Sequence, residues 1–185
     1  MHLHDVFDVI FERFNARTDV HVLETGTIRD SAHKGFVGDG WSTLYFGNTF
    51  RETVSIDLDI SVACGVLRAE KLLDRVDLIQ GDTRIELPKL MESNRQFDIV
   101  FLDSDNNADL IFDEFQIARQ MTKSRGLIVI DDVELPDTTF GALKGSRVIA
   151  WLVEHRVPFT LHERSGWNGY RTGVLVVEAD HVRTL

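Results

Sequence analysis

Five short β-rich runs, each closing on an acidic or polar residue, alternate along this chain with helical stretches. They occupy residues 20–24, 53–57, 76–80, 97–103 and 127–131. Alternation of this kind specifies a parallel sheet with helices on both faces, because parallel strands need crossover connections. The runs Phe97-Asp98-Ile99-Val100-Phe101-Leu102 and Leu127-Ile128-Val129-Ile130 are apolar enough to be central strands buried on both sides. Upstream, Leu3, Val6, Phe7, Ile10, Phe11 and Phe14 recur at helical spacing and predict an amphipathic helix over residues 3–16. Downstream, residues 146–156 read as a helix, and residues 158–163 and 173–178 as strands around a turn-rich link. So short a link makes a hairpin, so the last strand runs antiparallel to its neighbour. The expected fold is α/β, a doubly wound sheet, mostly parallel, with an antiparallel last strand.

The 185 residues, with no repeat or low-complexity tract, suit one core and one domain over residues 1–185, a helix to residue 17 preceding a core at 20–179. Thirty acidic residues against 20 basic ones give a net charge of −10. That balance disfavours nucleic acid, whose affinity rests on basic side chains neutralising phosphates, and favours a small-molecule partner. The single cysteine, Cys64, can form neither an internal disulfide nor a multi-thiolate metal site. No apolar run approaches the roughly 20 residues of a membrane span, and the amino terminus lacks a basic and apolar leader. A cytoplasmic protein without a membrane partner is expected, with oligomerisation left open.

In open α/β sheets, ligands lie beyond the carboxyl ends of the strands. The first run ends in Glu24-Thr25-Gly26-Thr27, where Gly26 lets backbone approach a ligand closely. Ser42, after Gly38-Asp39-Gly40-Trp41, can cap a helix whose free N–H groups suit a carboxylate. The second run ends at Asp57, which can accept the hydroxyls of a ribose, although Asp57 or Asp59 could instead cap the helix beginning near Ser61. The remaining ends carry Gly81-Asp82-Thr83, Asp103-Ser104-Asp105 and Asp131-Asp132. Capping accounts for each alone, but recurrence at all five ends points to a shared polar ligand. Signatures of serine hydrolases, phosphate-binding loops and zinc peptidases are absent. A nicotinamide-dependent oxidoreductase is the alternative on such a sheet. It is disfavoured because Gly26-Thr27-Ile28-Arg29-Asp30-Ser31 lacks the Gly-x-Gly-x-x-Gly turn that admits a pyrophosphate.

Taken in order, these motifs resemble the Rossmann-like class I S-adenosylmethionine-dependent methyltransferases. The stretch Glu24-Thr25-Gly26-Thr27 is similar to their first cofactor motif, Ile56-Asp57 to the acidic second one, and Gly81-Asp82-Thr83 to the adenine-side one. The resemblance covers about residues 20–178 and is strongest to the metal-dependent catechol and caffeoyl-coenzyme A O-methyltransferases. It implies methyl transfer from S-adenosylmethionine to a small-molecule acceptor, with a hydroxyl oxygen favoured. The cofactor residues it implies are Glu24, at the methionine end, Gly26, Thr27, Ser42, Asp57, Asp82, Thr83 and Asp103. It further implies that Asp103, Asp131 and Asp132 are catalytic and hold Mg²⁺ or another divalent cation, in keeping with the preference of such ions for carboxylates. Without a ligand role, Asp103 would cap the next helix and only one of Asp131 and Asp132 would face the pocket.

Two departures stand out. The family's catalytic lysine position falls on Asn106, which cannot act as a base at neutral pH and keeps a non-catalytic binding module in contention. Residues 28–40 look inserted between the glycine turn and the following helix. With Phe36, they are expected to form the acceptor mouth together with residues 165–171, which carry Trp167 and Tyr170. Lys144-Gly145 follows the fifth strand and could contribute to the pocket, but a solvated lysine is the expectation there.

Overall fold

The computed structural model describes residues 2–14, 17, 19–30, 41–135, 144–165 and 171–185. Seven strands form one sheet: β1 (His21–Thr25), β2 (Glu52–Asp57), β3 (Val76–Gln80), β4 (Phe97–Leu102), β5 (Thr122–Val133), β6 (Thr160–Ser165) and β7 (Arg171–Glu178). Their order is β3-β2-β1-β4-β5-β7-β6. The first five are mutually parallel, whereas β7 runs antiparallel to both β5 and β6. Strand β6 is therefore parallel to the first five, and only β7 reverses, as the sequence implied. This is a Rossmann-like α/β sheet, and the chain direction changes between β1 and β4, where open α/β sheets bind ligands.

Among the described residues six helices cover the sheet: α1 (Leu3–Ile10), α2 (Ser42–Thr49), α3 (Ser61–Ala69), α4 (Thr83–Glu92), α5 (Ala108–Met121) and α6 (Ser146–Glu154). Strand alternation divides the core. Leu23, Val54, Val100, Leu102, Ile128 and Ile130 pack under α4, α5 and α6. On the other side, Val22, Ile99, Phe101, Leu127 and Val129 meet Phe7, Phe11, Phe46 and Phe50 of the α1 and α2 region. Both faces of β4 and β5 are thus filled, which is why their sequences read as continuous apolar runs.

The helix expected over residues 3–16 is shorter. It stops at Ile10, and a 3₁₀ turn over Glu12–Phe14 carries the last aromatic inward. Strand β5 is longer than the apolar run 127–131, because it starts directly at Thr122, the residue that closes α5. Strand β6 begins at Thr160 rather than at Pro158, a residue with no N–H for the ladder. The first strand is displaced by one residue and the fourth ends at Leu102, leaving Asp103 just beyond the sheet.

Phe7 is fully buried, with ring centroids of Phe11, Phe46 and Phe101 at 5.2, 5.3 and 5.2 Å. Truncating it leaves a cavity that α1, anchored through one face, cannot collapse to fill. Phe7→Ala is expected to destabilise the fold by about 3–5 kcal/mol, read as a lowered urea midpoint with an unchanged slope.

Candidate functional site

Register brings the candidate residues together. Thr25 pairs with Ile56 and Leu102, and Leu102 pairs with Ile130. The next residue on each strand falls in one row across four neighbouring strands: Gly26, Asp57, Asp103 and Asp131. Alternation then sends the Asp57, Asp103 and Asp131 side chains to the face covered by α1, α2 and α3. Glu24 lies on that face two residues deeper.

Gly26 closes β1 with φ +88°, a left-handed conformation that glycine adopts without cost. A Cβ there would lie 2.5 Å from the Asp103 carbonyl oxygen, so the residue is also needed for the close approach of the two strand ends. Thr27 follows, and its backbone N–H donates to Asp57 Oδ2 at 2.9 Å, joining the glycine turn to the second strand. The cap position of α3 belongs to Ile60, and Asp59, not Asp57, accepts from the N–H of its first residue, Ser61, at 2.9 Å. Asp57 is therefore turned toward the glycine turn, and among the described residues its Oδ1 has a long 3.3 Å contact from the Asp59 N–H.

Glu24 does not reach the surface. Its carboxyl group is fully buried and accepts from Ser42 Oγ at 2.5 Å, Thr43 Oγ1 at 2.6 Å and Ser55 Oγ at 2.6 Å. Glu24 thus lies beneath the glycine turn, with three hydroxyls bonded to the carboxyl group that the sequence assigned to the methionine end of the cofactor. Ser42 does not cap α2, as the sequence suggested: the cap position belongs to Trp41, and the Ser42 hydroxyl donates to Glu24. Burial pushes the Glu24 pKa up to about 8, against the opposing pull of the three hydroxyl donors.

A matching arrangement lies across the sheet. Thr25 Oγ1 and Ser104 Oγ donate to Glu114 of α5 at 2.8 and 2.6 Å, and Thr83 adds a side-chain bond to the same buried carboxyl. Sequence reasoning missed Glu114. Its signal was an acid on the apolar face that Ile111, Phe115 and Ala118 define on α5. Thr83 therefore serves this network, while Asp82 caps α4 by accepting from the Arg84 N–H at 2.9 Å. The Arg84 guanidinium also holds the partly buried Asp82 carboxylate down at about 2.

Asp103, Asp131 and Asp132 do converge, with one oxygen from each within 4.8 Å of the others. Ordinary alternation would send Asp131 and Asp132 to opposite faces. A bulge prevents this: the β5–β7 register shifts between Ile130 and Val133, and Asp132 takes φ +52°. Ile130 and Val133 both stay in the core under α4 to α6, so both carboxylates emerge on the other side. An aspartate tolerates the left-handed conformation better than a β-branched residue would.

Two cations engage these three acids. Lys144 is not solvated, as expected from its sequence, but 1% exposed, with Nζ bonded to Asp103 Oδ1. Burial alone would lower its pKa, yet the Asp103 and Asp131 charges together raise it, so it stays an ammonium. Arg164 of β6 grips both oxygens of Asp131 at 2.7 and 2.8 Å and also bonds Asp132 Oδ1 at 2.7 Å. Asp132 is the most open of the three, its side chain 43% exposed. Burial and the neighbouring Asp131 charge push its pKa up to about 6, with Arg164 opposing. Asn106, at the family's lysine position, is exposed, and Asn107 caps α5. Arg164 was not singled out from sequence, although alternation along the last hairpin places it on the Asp131 face.

The expected acceptor mouth is only partly visible. Ile28 is buried with Trp41 and Ala63, which anchors the start of the first segment. Phe36, Trp167 and Tyr170 lie outside the described residues. The segments after β1 and β6 do leave the sheet at the same end, since those strands run in the same direction.

A family model described as a methyltransferase domain matches residues 36–133, just over half of the chain. The chain belongs to this methyltransferase family. A search of curated proteins finds no match. Among solved structures, the methyltransferase resembles a putative O-methyltransferase from Klebsiella pneumoniae at 19% identity and TM-score 0.71, covering 96% of this chain and 81% of that one. It also resembles the O-methyltransferase TomG from Streptomyces achromogenes, solved with SAM, at 22% identity and TM-score 0.70, covering 94% and 79% of the two chains. MycE of the mycinamycin biosynthetic pathway, solved with Mg, SAH and mycinamycin VI, aligns at 19% identity and TM-score 0.62 over 94% of this chain and 48% of its own. At these identities the likeness establishes the fold, and the family match establishes the methyltransferase.

The raised Glu24 pKa carries a sign. The folded state holds its proton up to about 8, whereas the unfolded chain releases it near the ordinary value of 4.5. The stabilisation is therefore complete below about 4.5 and is lost as pH rises toward 8, with a slope of at most about 1.4 kcal/mol per pH unit. Glu24→Gln, neutral at every pH, is expected to flatten that slope. Urea unfolding of both proteins from pH 5 to pH 8 measures it, and parallel slopes would mean that Glu24 is ionised in the fold.

Proposed function

We propose that this methyltransferase transfers a methyl group from S-adenosylmethionine to the hydroxyl oxygen of a small-molecule acceptor. The observation that carries the reading is the row of Gly26, Asp57, Asp103 and Asp131 at the strand ends, lying at the change of chain direction in the sheet. When bound, S-adenosylmethionine supplies a sulfonium methyl group open to in-line displacement, so the protein's task is mainly alignment.

The glycine turn offers the cofactor backbone without a side chain, and the Thr27 bond to Asp57 keeps it in place. Asp57 retains an oxygen for the ribose hydroxyls, while Asp82 and Thr83 border the adenine side. Glu24 fixes the turn from below through Ser42, Thr43 and Ser55. On the acceptor side, Asp103 and Asp131 shape the floor. Asp132, the most open carboxylate, takes the acceptor's proton as its oxygen bonds the methyl carbon and the sulfur keeps the broken bond's electron pair. Lys144 and Arg164 already engage the three carboxylates, so the step needs no metal ion. The −10 charge of the chain suits a neutral or cationic acceptor better than a polyanion.

Asp57→Ala is expected to weaken S-adenosylmethionine binding about ten- to hundredfold, the usual effect of losing charged hydrogen bonds of about 1.5–3 kcal/mol. Calorimetry on the folded variant decides it. Equal affinity in both proteins would take Asp57 out of the cofactor site, and no heat with either would remove the cofactor reading itself.

A further inference from the structure

The acidic triad has the donor chemistry of a hard-cation site, but not the free oxygens of one. A magnesium or manganese ion asks for about six oxygen ligands in near-octahedral geometry. Here Asp131 has both oxygens committed to Arg164, in the paired geometry that matches a guanidinium to a carboxylate. Asp132 gives one oxygen to the same guanidinium, and Asp103 gives one to Lys144.

Both cations are built into the fold rather than laid over it. The Lys144 side chain is 2% exposed and the Arg164 side chain 12%. Lys144 lies two residues before the first residue of α6, whose apolar face packs into the core through Val148 and Leu152. Arg164 is held by the ladder between β6 and β7, where it pairs with Thr172. Neither can swing away at little cost, and a divalent ion among the carboxylates would meet two like charges at close range.

We propose that Lys144 and Arg164 take the place of a divalent cation at Asp103, Asp131 and Asp132, so that this methyltransferase neutralises its acceptor site with its own side chains and works without metal. Two monovalent charges on three carboxylates leave the cluster near the balance that one divalent ion would give. The exposed oxygen of Asp132 then stays available to the acceptor. The catalytic part of the proposal rests on the function proposed above. The metal-binding part does not, and the two are measured separately.

Chelator-stripped protein is titrated with Mn²⁺, the free ion being followed by electron paramagnetic resonance, with thermal-shift series in Mg²⁺ alongside. The wild type is expected to show no saturable site up to about 1 mM, the weak end of carboxylate sites. Arg164→Met and the Lys144→Met/Arg164→Met double variant are expected to gain one, at least about tenfold tighter, because the carboxylates are released and the like charge removed. Arg164→Gln, which keeps a hydrogen-bonding amide on the edge strand, replaces Arg164→Met if circular dichroism shows the latter unfolded. Turnover of an identified acceptor by the wild type is expected to survive chelation. One saturable Mn²⁺ per wild-type chain, folded variants that gain no binding, or turnover lost on chelation and restored by Mg²⁺ would each overturn the proposal. Failure of the cofactor to bind would leave the Mn²⁺ result standing, so the two readings fail independently.

Discussion

The buried carboxyl group of Glu24 is the constraint around which the cofactor end of the sheet is arranged. It ties β1 to α2 through Ser42 and Thr43 and to β2 through Ser55, all within 2.6 Å. An acid in such a place is costly unless it is neutral or fully hydrogen-bonded, and here it is surrounded by hydroxyls that can donate to it or turn to accept. Ser42 bonds Oε1 and both Thr43 and Ser55 bond Oε2, so replacing Ser42 takes away the hydroxyl that bonds Oε1, whereas Oε2 keeps one when either of its two is replaced. The glycine turn above it is thereby held against Asp57 and Asp103, two positions that would otherwise depend on loops for their spacing. Glu114 repeats the device on the opposite face with Thr25, Thr83 and Ser104. The end of β1 is thus braced from both sides by carboxyls that no ligand needs to touch.

Most of the architecture could be read from the chain before any coordinates. Continuous apolar runs marked β4 and β5, the short final link marked the hairpin, and the acidic strand ends marked the site. Those signals are local, and each reflects a period or a boundary that burial enforces. The readings that failed concern partners distant in sequence. Nothing near Lys144 announces that it will lie on Asp103, 41 residues away. Ser42 had the composition of a helix cap, but the demand of a buried acid outweighed that of a helix terminus. The expected convergence of Asp131 and Asp132 does hold, but by a bulge opposite β7 that overrides strand alternation and that no local pattern announces.

The acceptor end of the site is ruled by charge where the cofactor end is ruled by geometry. A bulge collects two carboxylates beside a third, and like charges so close need compensation. The lysine and arginine that provide it come from segments flanking α6, outside the region matched by the family model. The part of the chain that carries the family's pattern and the part that sets the electrostatics of its acidic cluster are therefore different.

Arg164 also has a consequence for the strand that carries it. Strand β6 forms one edge of the sheet, with a neighbour on one side only. An edge strand with alternating polar residues is weakly specified in its pairing and can slide. A slip of one residue would turn the guanidinium away from the acids, and a slip of two would carry it about 7 Å along the strand, beyond their reach. The same ion cluster that balances the site thus acts as a register pin, locking the final hairpin into one alignment at the place where backbone hydrogen bonding alone would permit several.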